Sequence, residues 1–181
     1  MSNIEAFAKQ FKLIMNIHFR KAEPHELQAG LDFLKQAAEK LKAKNINQWR
    51  FWLNPSESDI AWIKSGFDNS EFYFIENENK ESVGMFRIMY SDITYWGVQE
   101  KQAGYLHSLV VLKKFEGYHI GSKVFDYVET TLKGQNIFLL RLDCNASNAF
   151  LCKYYENLGF KKSGTIQMRH ALNQLYEKQI L

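Results

Sequence analysis

One stretch of the sequence, Tyr105–Tyr127, has residue types and spacing that suit the binding of a phosphate group. It starts with an apolar run and continues through the charged, glycine-marked segment Lys113–Gly121. It ends in a pattern with apolar residues on one helical face: Ile120, Val124, Tyr127 and Val128. The pattern predicts a strand, a loop and a helix. A helix that begins directly after such a loop exposes unpaired backbone N–H groups and the positive end of its dipole, and both attract an anion.

The residues before this unit predict a strand, two helices and a hairpin. Pro24 is well placed to begin a long amphipathic helix, and Ser56 can cap a second, shorter one. Two runs rich in β-forming residues are separated by a polar turn, which is typical of an antiparallel hairpin. The predicted bounds are a strand at Ile14–Phe19, helices at Pro24–Lys44 and Glu57–Ser65, strands at Glu71–Glu76 and Ser82–Tyr90, and a loop at Asp92–Gly104.

The residues after the unit predict a buried strand, a helix and a final pair of strands. Ile137–Cys144 is nearly continuous in apolar residues, as expected for a strand inside a sheet. The polar segment Asn145–Asn148 can cap the following helix, and Gly159 suits its C-terminus. Phe160–Gln167 and Asn173–Ile180 complete the series. The element order predicts an α/β (α+β) protein with a mixed sheet and helices on its faces.

The amino-acid composition limits the classes of protein to which this chain can belong. The 181 residues fit a single domain, residues 1–181, and the apolar fraction of 46% excludes a disordered chain. A net charge of +3 with mixed signs is too weak to indicate nucleic-acid binding. No apolar run approaches the ~20 residues of a membrane span, and the N-terminal segment does not have the order of a signal peptide, so we expect a cytoplasmic protein. The composition is compatible with a homodimer.

The two cysteines, Cys144 and Cys152, have a spacing that matches no zinc or redox motif. We expect reduced, mostly buried thiols and no metal site.

Two motifs carry a family resemblance. The first is Glu116-Gly117-Tyr118-His119-Ile120-Gly121, and the second is Asn148 followed by Lys153-Tyr154-Tyr155-Glu156-Asn157-Leu158-Gly159-Phe160. They resemble the Gln/Arg-x-x-Gly-x-Gly/Ala and Asn…Leu-Tyr-Glu-Lys-x-Gly-Phe patterns of the GNAT superfamily of acetyl-CoA-dependent N-acetyltransferases. In the first motif, Glu116 replaces Arg or Gln and His119 replaces the central Gly. The resemblance spans essentially the whole chain.

The resemblance implies a mostly antiparallel sheet of about six to seven strands, whose fourth and fifth strands splay apart to admit the pantetheine arm of acetyl-CoA. Backbone groups of Leu109 and Val111 would hold that arm, and the N–H of Leu109 would polarise the thioester carbonyl. Lys113, Lys114 and Lys123 would offset the charge of Glu116. The implied cofactor-binding residues are Leu109, Val110, Val111, Glu116, Gly117, Tyr118, His119, Ile120, Gly121, Ser122, Asn148 and Tyr155.

The resemblance also implies catalytic roles. Tyr155 aligns with a tyrosine that stabilises the departing thiolate, although a core-packing role for one of the adjacent tyrosines stays open. The glutamate that serves as a base in some members is replaced by Tyr105. His107 is the alternative base, directly or through water, because an imidazole pKa near ~6.5 suits proton transfer at neutral pH. A strand histidine that only packs is the competing interpretation.

Residues of the implied acceptor groove are Asp92, Trp96, Trp49 and Trp52. Aromatic faces and a carboxylate attract a cation, so they suit a small amine, a protein lysine or an N-terminus. For the two tryptophans at 49 and 52, ordinary core packing is an equal alternative.

The sequence therefore predicts an N-acetyltransferase in which the amine attacks acetyl-CoA directly in a ternary complex. The alternative is a non-catalytic CoA-binding or regulatory relative, which the residues at 116 and 119 favour. A nucleotide-binding module lacks support because neither phosphate-loop nor dinucleotide-binding glycine motifs occur.

Overall fold

A computed structural model describes residues 15–180, and within this range seven strands form one sheet. The strands are β1 (Ile17–Lys21), β2 (Phe72–Asn77), β3 (Ser82–Met89), β4 (Gly104–Val111), β5 (Leu139–Asn145), β6 (Lys161–Gln167) and β7 (Leu172–Gln179). The helices are α1 (Leu27–Ala43), α2 (Glu57–Asp68), α3 (Ile93–Trp96), α4 (Ile120–Lys133) and α5 (Ala149–Asn157). Short 3₁₀ turns lie at Pro24–Glu26, Arg50–Leu53 and Lys113–Phe115.

The strand order is β1-β2-β3-β4-β5-β7-β6. Every neighbouring pair is antiparallel except β4 and β5, which are parallel. A parallel pair needs a crossover, and α4 provides it between the two strands. The predicted mixed, mostly antiparallel sheet with flanking helices is confirmed.

The two faces of the sheet are covered by different helices. On one face, α4 buries Ile120, Val124 and Leu132 against β4 and β5, together with Tyr155 of α5. On the other face, α1 and α2 pack onto β2 and β3 through a second cluster: Phe33, Leu34, Ala38, Ile63, Phe67, Phe72, Phe74 and Met85. Apolar residues three and four apart on each helix produce these stripes.

Several boundaries differ from the sequence prediction, and α2 continues past its predicted end at Ser65 to Asp68. The first strand continues to Lys21, where Arg20 and Lys21 pair with β2 and lie over the rings of Phe74 and Tyr73. Ile14 and the N-terminal segment considered for a signal peptide lie outside the described residues. The predicted loop at Asp92–Gly104 contains the single turn α3, because the Asp92 carboxylate accepts a hydrogen bond from the Tyr95 N–H at 3.2 Å.

The caps that the sequence indicated are formed. Ser56 accepts from the Asp59 N–H at the start of α2, and Asp59 accepts from the Ser56 N–H in return. In residues 15–180, helix length and apolar content nowhere reach what a bilayer crossing requires.

Candidate active site

Strands β4 and β5 lie side by side only at one end. Parallel pairing joins Gly104–Leu106 to Leu140–Leu142, whereas β4 continues to Val111 and β5 to Asn145. A β-bulge marks the change in β4, since Ser108 has a φ of 52° and the register with β3 shifts at this point. The strands therefore part, and the predicted splay of the fourth and fifth strands is confirmed.

The parted edge of β4 presents backbone groups to the opening. The Leu112 N–H donates to the Val83 carbonyl of β3 at 2.9 Å. Backbone groups of successive strand residues point alternately to the two edges, so those of Val111 and Leu109 point toward the open side. These are groups with which an amide-bearing ligand could pair as an added strand.

The segment before α4 has two residues in the left-handed region. Gly117 has a φ of 86° and His119 a φ of 54°, and His119 is the residue that directly precedes α4. The backbone at 119 thus adopts a conformation that favours glycine, with the imidazole exposed to solvent. Around Gly121, an added Cβ would meet only the Tyr154 hydroxyl, at 3.0 Å. The loop therefore leaves the N-terminus of α4 accessible.

Glu116 is paired by lysines of α1. The Lys40 ammonium contacts the Glu116 carboxylate, and that of Lys44 lies 4.0 Å from it. The hydrogen bond from Lys40 is the main reason that the pKa of Glu116 lies below its ordinary value. Of the three lysines expected to offset this charge, Lys113 contributes to the lowered pKa of Glu116, Lys114 pairs with Glu81, and Lys123 donates to the Met15 carbonyl while keeping its own charge.

Tyr155 of α5 has a buried ring, and its hydroxyl has no hydrogen-bond partner among residues 15–180. The ring packs against Tyr176, Phe125 and Phe160 with centroids 5.8 to 6.0 Å away. Burial raises the pKa of Tyr155 well above its ordinary value. The phenol is therefore held protonated at neutral pH.

Asn148 caps α5 and ties it to the loop after α1. Its Oδ1 accepts from the Leu151 N–H at 3.1 Å, and its Nδ2 donates to Gln48 Oε1 at 2.7 Å. The neighbouring Asn145 Nδ2 donates to the Asn47 carbonyl at 2.8 Å. The loop after α1 is thus fixed against the end of β5.

His107 lies between two carboxylates. Its Nε2 is 2.9 Å from Asp92 Oδ2, and its Nδ1 is 3.5 Å from Asp143 Oδ1. Asp143 Oδ2 also accepts from Asn173 Nδ2 at 2.6 Å. The side chains of His107, Asp92 and Asp143 are 7%, 4% and 10% exposed. Burial is the main cause of a raised pKa at Asp143, opposed by the nearby His107.

Sequence reasoning named His107 and Asp92 for separate roles and missed Asp143. A signal was present, since Asp143 is a carboxylate inside the apolar run of a buried strand, where an ionisable group needs a specific partner. Its partner could not be named without the register of β4 and β5, which places Asp143 opposite His107.

Two aromatic rings other than the tryptophans predicted for the acceptor groove lie beside His107. The rings of Tyr95 and Trp62 lie 5.3 and 5.8 Å from the imidazole of His107. Trp96 instead packs with Tyr105 and Leu139 in a separate buried cluster, because α3 turns it toward the sheet. Trp52 is part of the core under α1, and Trp49 is half-buried against the same cluster.

A family model described as "Acetyltransferase (GNAT) family" matches residues 34–160 of the chain, which is more than half of its length. The chain belongs to the GNAT acetyltransferase family. It is 30% identical over 151 residues to the uncharacterized N-acetyltransferase YesJ of Bacillus subtilis (strain 168), with 81% of each sequence covered.

Solved GNAT structures share the fold. A GNAT acetyltransferase from Listeria monocytogenes 4b F2365 has a TM-score of 0.73 at 24% identity, over 90% of this chain and 94% of the other. One from Staphylococcus aureus Mu50 has a TM-score of 0.65 at 18% identity, over 92% of this chain and all of the other. This GNAT chain is thus an acetyltransferase, and its family uses acetyl-CoA as the donor.

The residues of this GNAT chain fit such a donor. An open strand edge is present for the amides of the pantetheine arm, the N-terminus of α4 is accessible to phosphates, and Glu116 is charge-paired. Two free thiols lie beside the parted strands, with the sulfur atoms of Cys144 and Cys152 3.7 Å apart. Burial raises the pKa of the Cys144 thiol, so it stays protonated at neutral pH.

Proposed function

We propose that this GNAT protein moves the acetyl group of acetyl-CoA to a primary amine by direct attack in a ternary complex, with residues 1–181 as one transferase domain. The observation that carries the proposal is the buried imidazole of His107, set between two carboxylates where β4 and β5 part. This arrangement supports a role for His107 as a proton acceptor beside the opening between β4 and β5, which suits acetyl-CoA.

The cofactor would be held mainly by backbone groups. Those of Leu109, Val110 and Val111 would pair with the pantetheine amides, and the Leu109 N–H would polarise the acetyl carbonyl. The segment Glu116–Ser122 would bind the phosphates, and Asn148 would contact the arm once its bond with Gln48 is exchanged. Bound there, acetyl-CoA supplies an activated acetyl carbon and a thiolate leaving group.

His107 would act as the general base. An alkylammonium pKa near ~10.4 makes the free amine cost about 4.6 kcal/mol at pH 7, so a positioned proton acceptor can lower the barrier substantially. With Nε2–H donated to Asp92, the lone pair of Nδ1 is available to accept that proton. Tyr155 would donate its hydroxyl hydrogen to the departing thiolate, because its raised pKa keeps the phenol protonated.

The acceptor would be a small amine, a protein lysine or an N-terminus. Tyr95 and Trp62 present aromatic rings beside His107, and Asp92 places a carboxylate at the same point. Ring faces and carboxylates both attract an ammonium group. Of the four residues proposed for the groove, Asp92 has the strongest geometric support.

The test measures acetyl-CoA binding by calorimetry and CoA release with a panel of primary amines. We expect saturable turnover with at least one amine, and His107→Ala should lower kcat at neutral pH by about 10²-fold or more with little change in acetyl-CoA affinity. His25→Ala is a matched control, since His25 is exposed and pairs with the exposed Glu23. Binding of acetyl-CoA without any turnover would favour the non-catalytic alternative.

A further inference from the structure

We propose that Asp143 is a second catalytic residue, which together with His107 receives the acceptor ammonium: one N–H of the ammonium donates to His107 Nδ1 and another to Asp143 Oδ1. This inference rests on the proposed function and goes beyond it by placing the acceptor nitrogen and a second carboxylate at one point.

The topology places the two residues opposite each other. Leu106 and Leu142 form the last pair in the parallel ladder of β4 and β5. His107 and Asp143 are the next residue on each strand, and side-chain alternation puts both on the same face of the sheet. They are therefore the first side chains on this face beyond the point where the strands part.

The hydrogen bonds around the pair leave two acceptor atoms facing each other. Nε2 of His107 is engaged by Asp92 at 2.9 Å, and Asp143 Oδ2 is engaged by Asn173 at 2.6 Å. The remaining atoms, Nδ1 and Oδ1, are 3.5 Å apart, beyond the usual length of a hydrogen bond between them. Two acceptors at this separation can each receive a normal hydrogen bond from one nitrogen that carries two hydrogens.

A purely structural role does not explain the carboxylate. The contact with Asn173 requires only an acceptor oxygen, which an asparagine at 143 would also supply. An ionisable group that is 90% buried is costly to keep without a function or a partner of opposite charge. An ammonium ion, or the imidazolium that forms when its proton is taken up, is such a partner.

Proton transfer to His107 precedes transfer of the acetyl group. One N–H bond of the ammonium breaks and its proton binds His107 Nδ1, while the electron pair stays on the amine nitrogen. That pair forms the new C–N bond to the acetyl carbon, and the C–S bond breaks with its electrons leaving on sulfur. The thiolate takes a proton from the Tyr155 hydroxyl, and the second proton released by the nitrogen restores that hydroxyl, so the products are a neutral amide and the thiol of CoA. The imidazolium is then flanked by the carboxylates of Asp92 and Asp143, and their charges stabilise it.

Several other groups set the electrostatics of the pair. From the elements packed around it, these are Asp59 and Trp62 of α2, Arg87 of β3, Asp92 and Tyr95 at α3, Cys144 of β5, Tyr155 of α5 and Asn173 of β7. Arg87 is already paired with Glu71, at 2.5 Å. Arg169 and His170 act on Asp59 in turn, so the charged group in direct contact with the pair is the Asp92 carboxylate, which favours a cationic acceptor.

The test compares Asp143→Asn with wild type on two acceptors: an alkylamine that the wild type uses, and a fluorinated analogue that is largely unprotonated at neutral pH. With the alkylamine we expect kcat to fall by about 10²-fold or more and acetyl-CoA affinity to stay within about twofold. With the fluorinated acceptor the loss should shrink to about tenfold or less, because no proton has to be removed before attack. Asp126→Asn is the matched control, since Asp126 is exposed on α4.

A loss that is equal for both acceptors would assign Asp143 a structural role and overturn the proposal, as would an unchanged kcat. Circular dichroism and thermal melts establish folding. If the Asn variant does not fold, Asp143→Glu replaces it, and a deficit confined to the protonated acceptor is again required. Absence of turnover in the wild type would refute the proposed function itself, whereas wild-type turnover with no selective loss in the variant refutes only the role of Asp143.

Discussion

Tyr155→Phe should separate the chemistry of the site from the stability of the fold. The ring of Tyr155 is enclosed by aromatic neighbours, all of which phenylalanine would keep, whereas the hydroxyl has no hydrogen-bond partner among residues 15–180. Its removal therefore breaks no bond of the unliganded protein. If the hydroxyl donates to the departing thiolate, the same substitution removes a bond that forms only during the reaction.

The effects of Tyr155→Phe on the free energy of unfolding and on kcat can be estimated separately. Since the hydroxyl makes no hydrogen bond with residues 15–180 that its removal would break, the free energy of unfolding should change by less than about 1 kcal/mol. For a protein of this size that corresponds to a change in Tm of less than about 2–4 °C. A hydrogen bond to a charged acceptor contributes about 1.5–3 kcal/mol, so kcat should fall by about 10- to 150-fold.

The assay combines thermal melts, calorimetric titration of acetyl-CoA and steady-state CoA release at saturating amine. Tyr176→Phe is a useful comparison, because Tyr176 is fully buried on the same cluster and its hydroxyl already donates to Glu156 at 3.4 Å. We expect that variant to keep its turnover. An unchanged kcat in Tyr155→Phe would remove Tyr155 from the reaction and leave it as a packing residue.

Three further perturbations test the loop, the pH dependence and the fold. His119→Gly should tighten acetyl-CoA binding by several-fold, because it clears an exposed side chain from the loop, and weaker binding in calorimetry would contradict this. For the stability of the fold, relief of left-handed strain, about 1–2 kcal/mol, is partly offset by the chain entropy of glycine, about 0.5–1 kcal/mol. Glu26→Gln should lower the free energy of unfolding by about 1 kcal/mol at pH 7, since the Arg20 hydrogen bond is the first cause of the lowered pKa of Glu26. A lowered carboxyl pKa stabilises above the unfolded value, and this stabilisation is lost as pH falls through the folded value. Urea melts should therefore show the difference begin to shrink near the unfolded Glu pKa of ~4.3 and vanish only once the pH lies below the lowered pKa of folded Glu26. Gly84→Ala should destabilise by about 1–3 kcal/mol or more because its Cβ would overlap a backbone carbonyl of β4, whereas Gly134→Ala, where an added Cβ finds only ordinary contacts at 3.5 Å, should be neutral or slightly stabilising in the same thermal melts.

Local patterns were sufficient for most of the fold. The helix cap at Ser56, the apolar stripe of α4 and the buried run of β5 each depend on residues close in sequence, and all three are present in the structure. The predicted bounds were wrong where contacts between elements or a single cap determine the secondary structure. β1 extends to Lys21 because β2 offers it partners, and α3 forms inside a predicted loop because a single carboxylate caps its turn.

The candidate site was only half predictable for the same reason. His107 and Asp92 were identifiable as reactive residue types, but their contact depends on the path of the chain between α3 and β4. Asp143 joins them from another strand, 36 residues further along the chain than His107 by number, and only the β4–β5 pairing shows that it is adjacent. Likewise, α1 supplies the lysines for Glu116 from a part of the sequence with no recognisable phosphate-binding motif.

The two departures at Glu116 and His119 bear on what a phosphate-binding loop requires. His119 takes the left-handed conformation that a glycine would adopt, so the chain direction into α4 does not depend on glycine at that position. The Glu116 carboxylate faces Lys40 in the last turn of α1 and Lys44 directly after that helix. The two ammonium groups offset its negative charge. Backbone N–H groups at a helix N-terminus attract anions whatever side chains flank them, provided that those side chains neither block the approach nor repel the ligand. Residue identity in the motif can therefore change while the geometry and the local charge that suit a phosphate are kept, and here that compensation comes from α1.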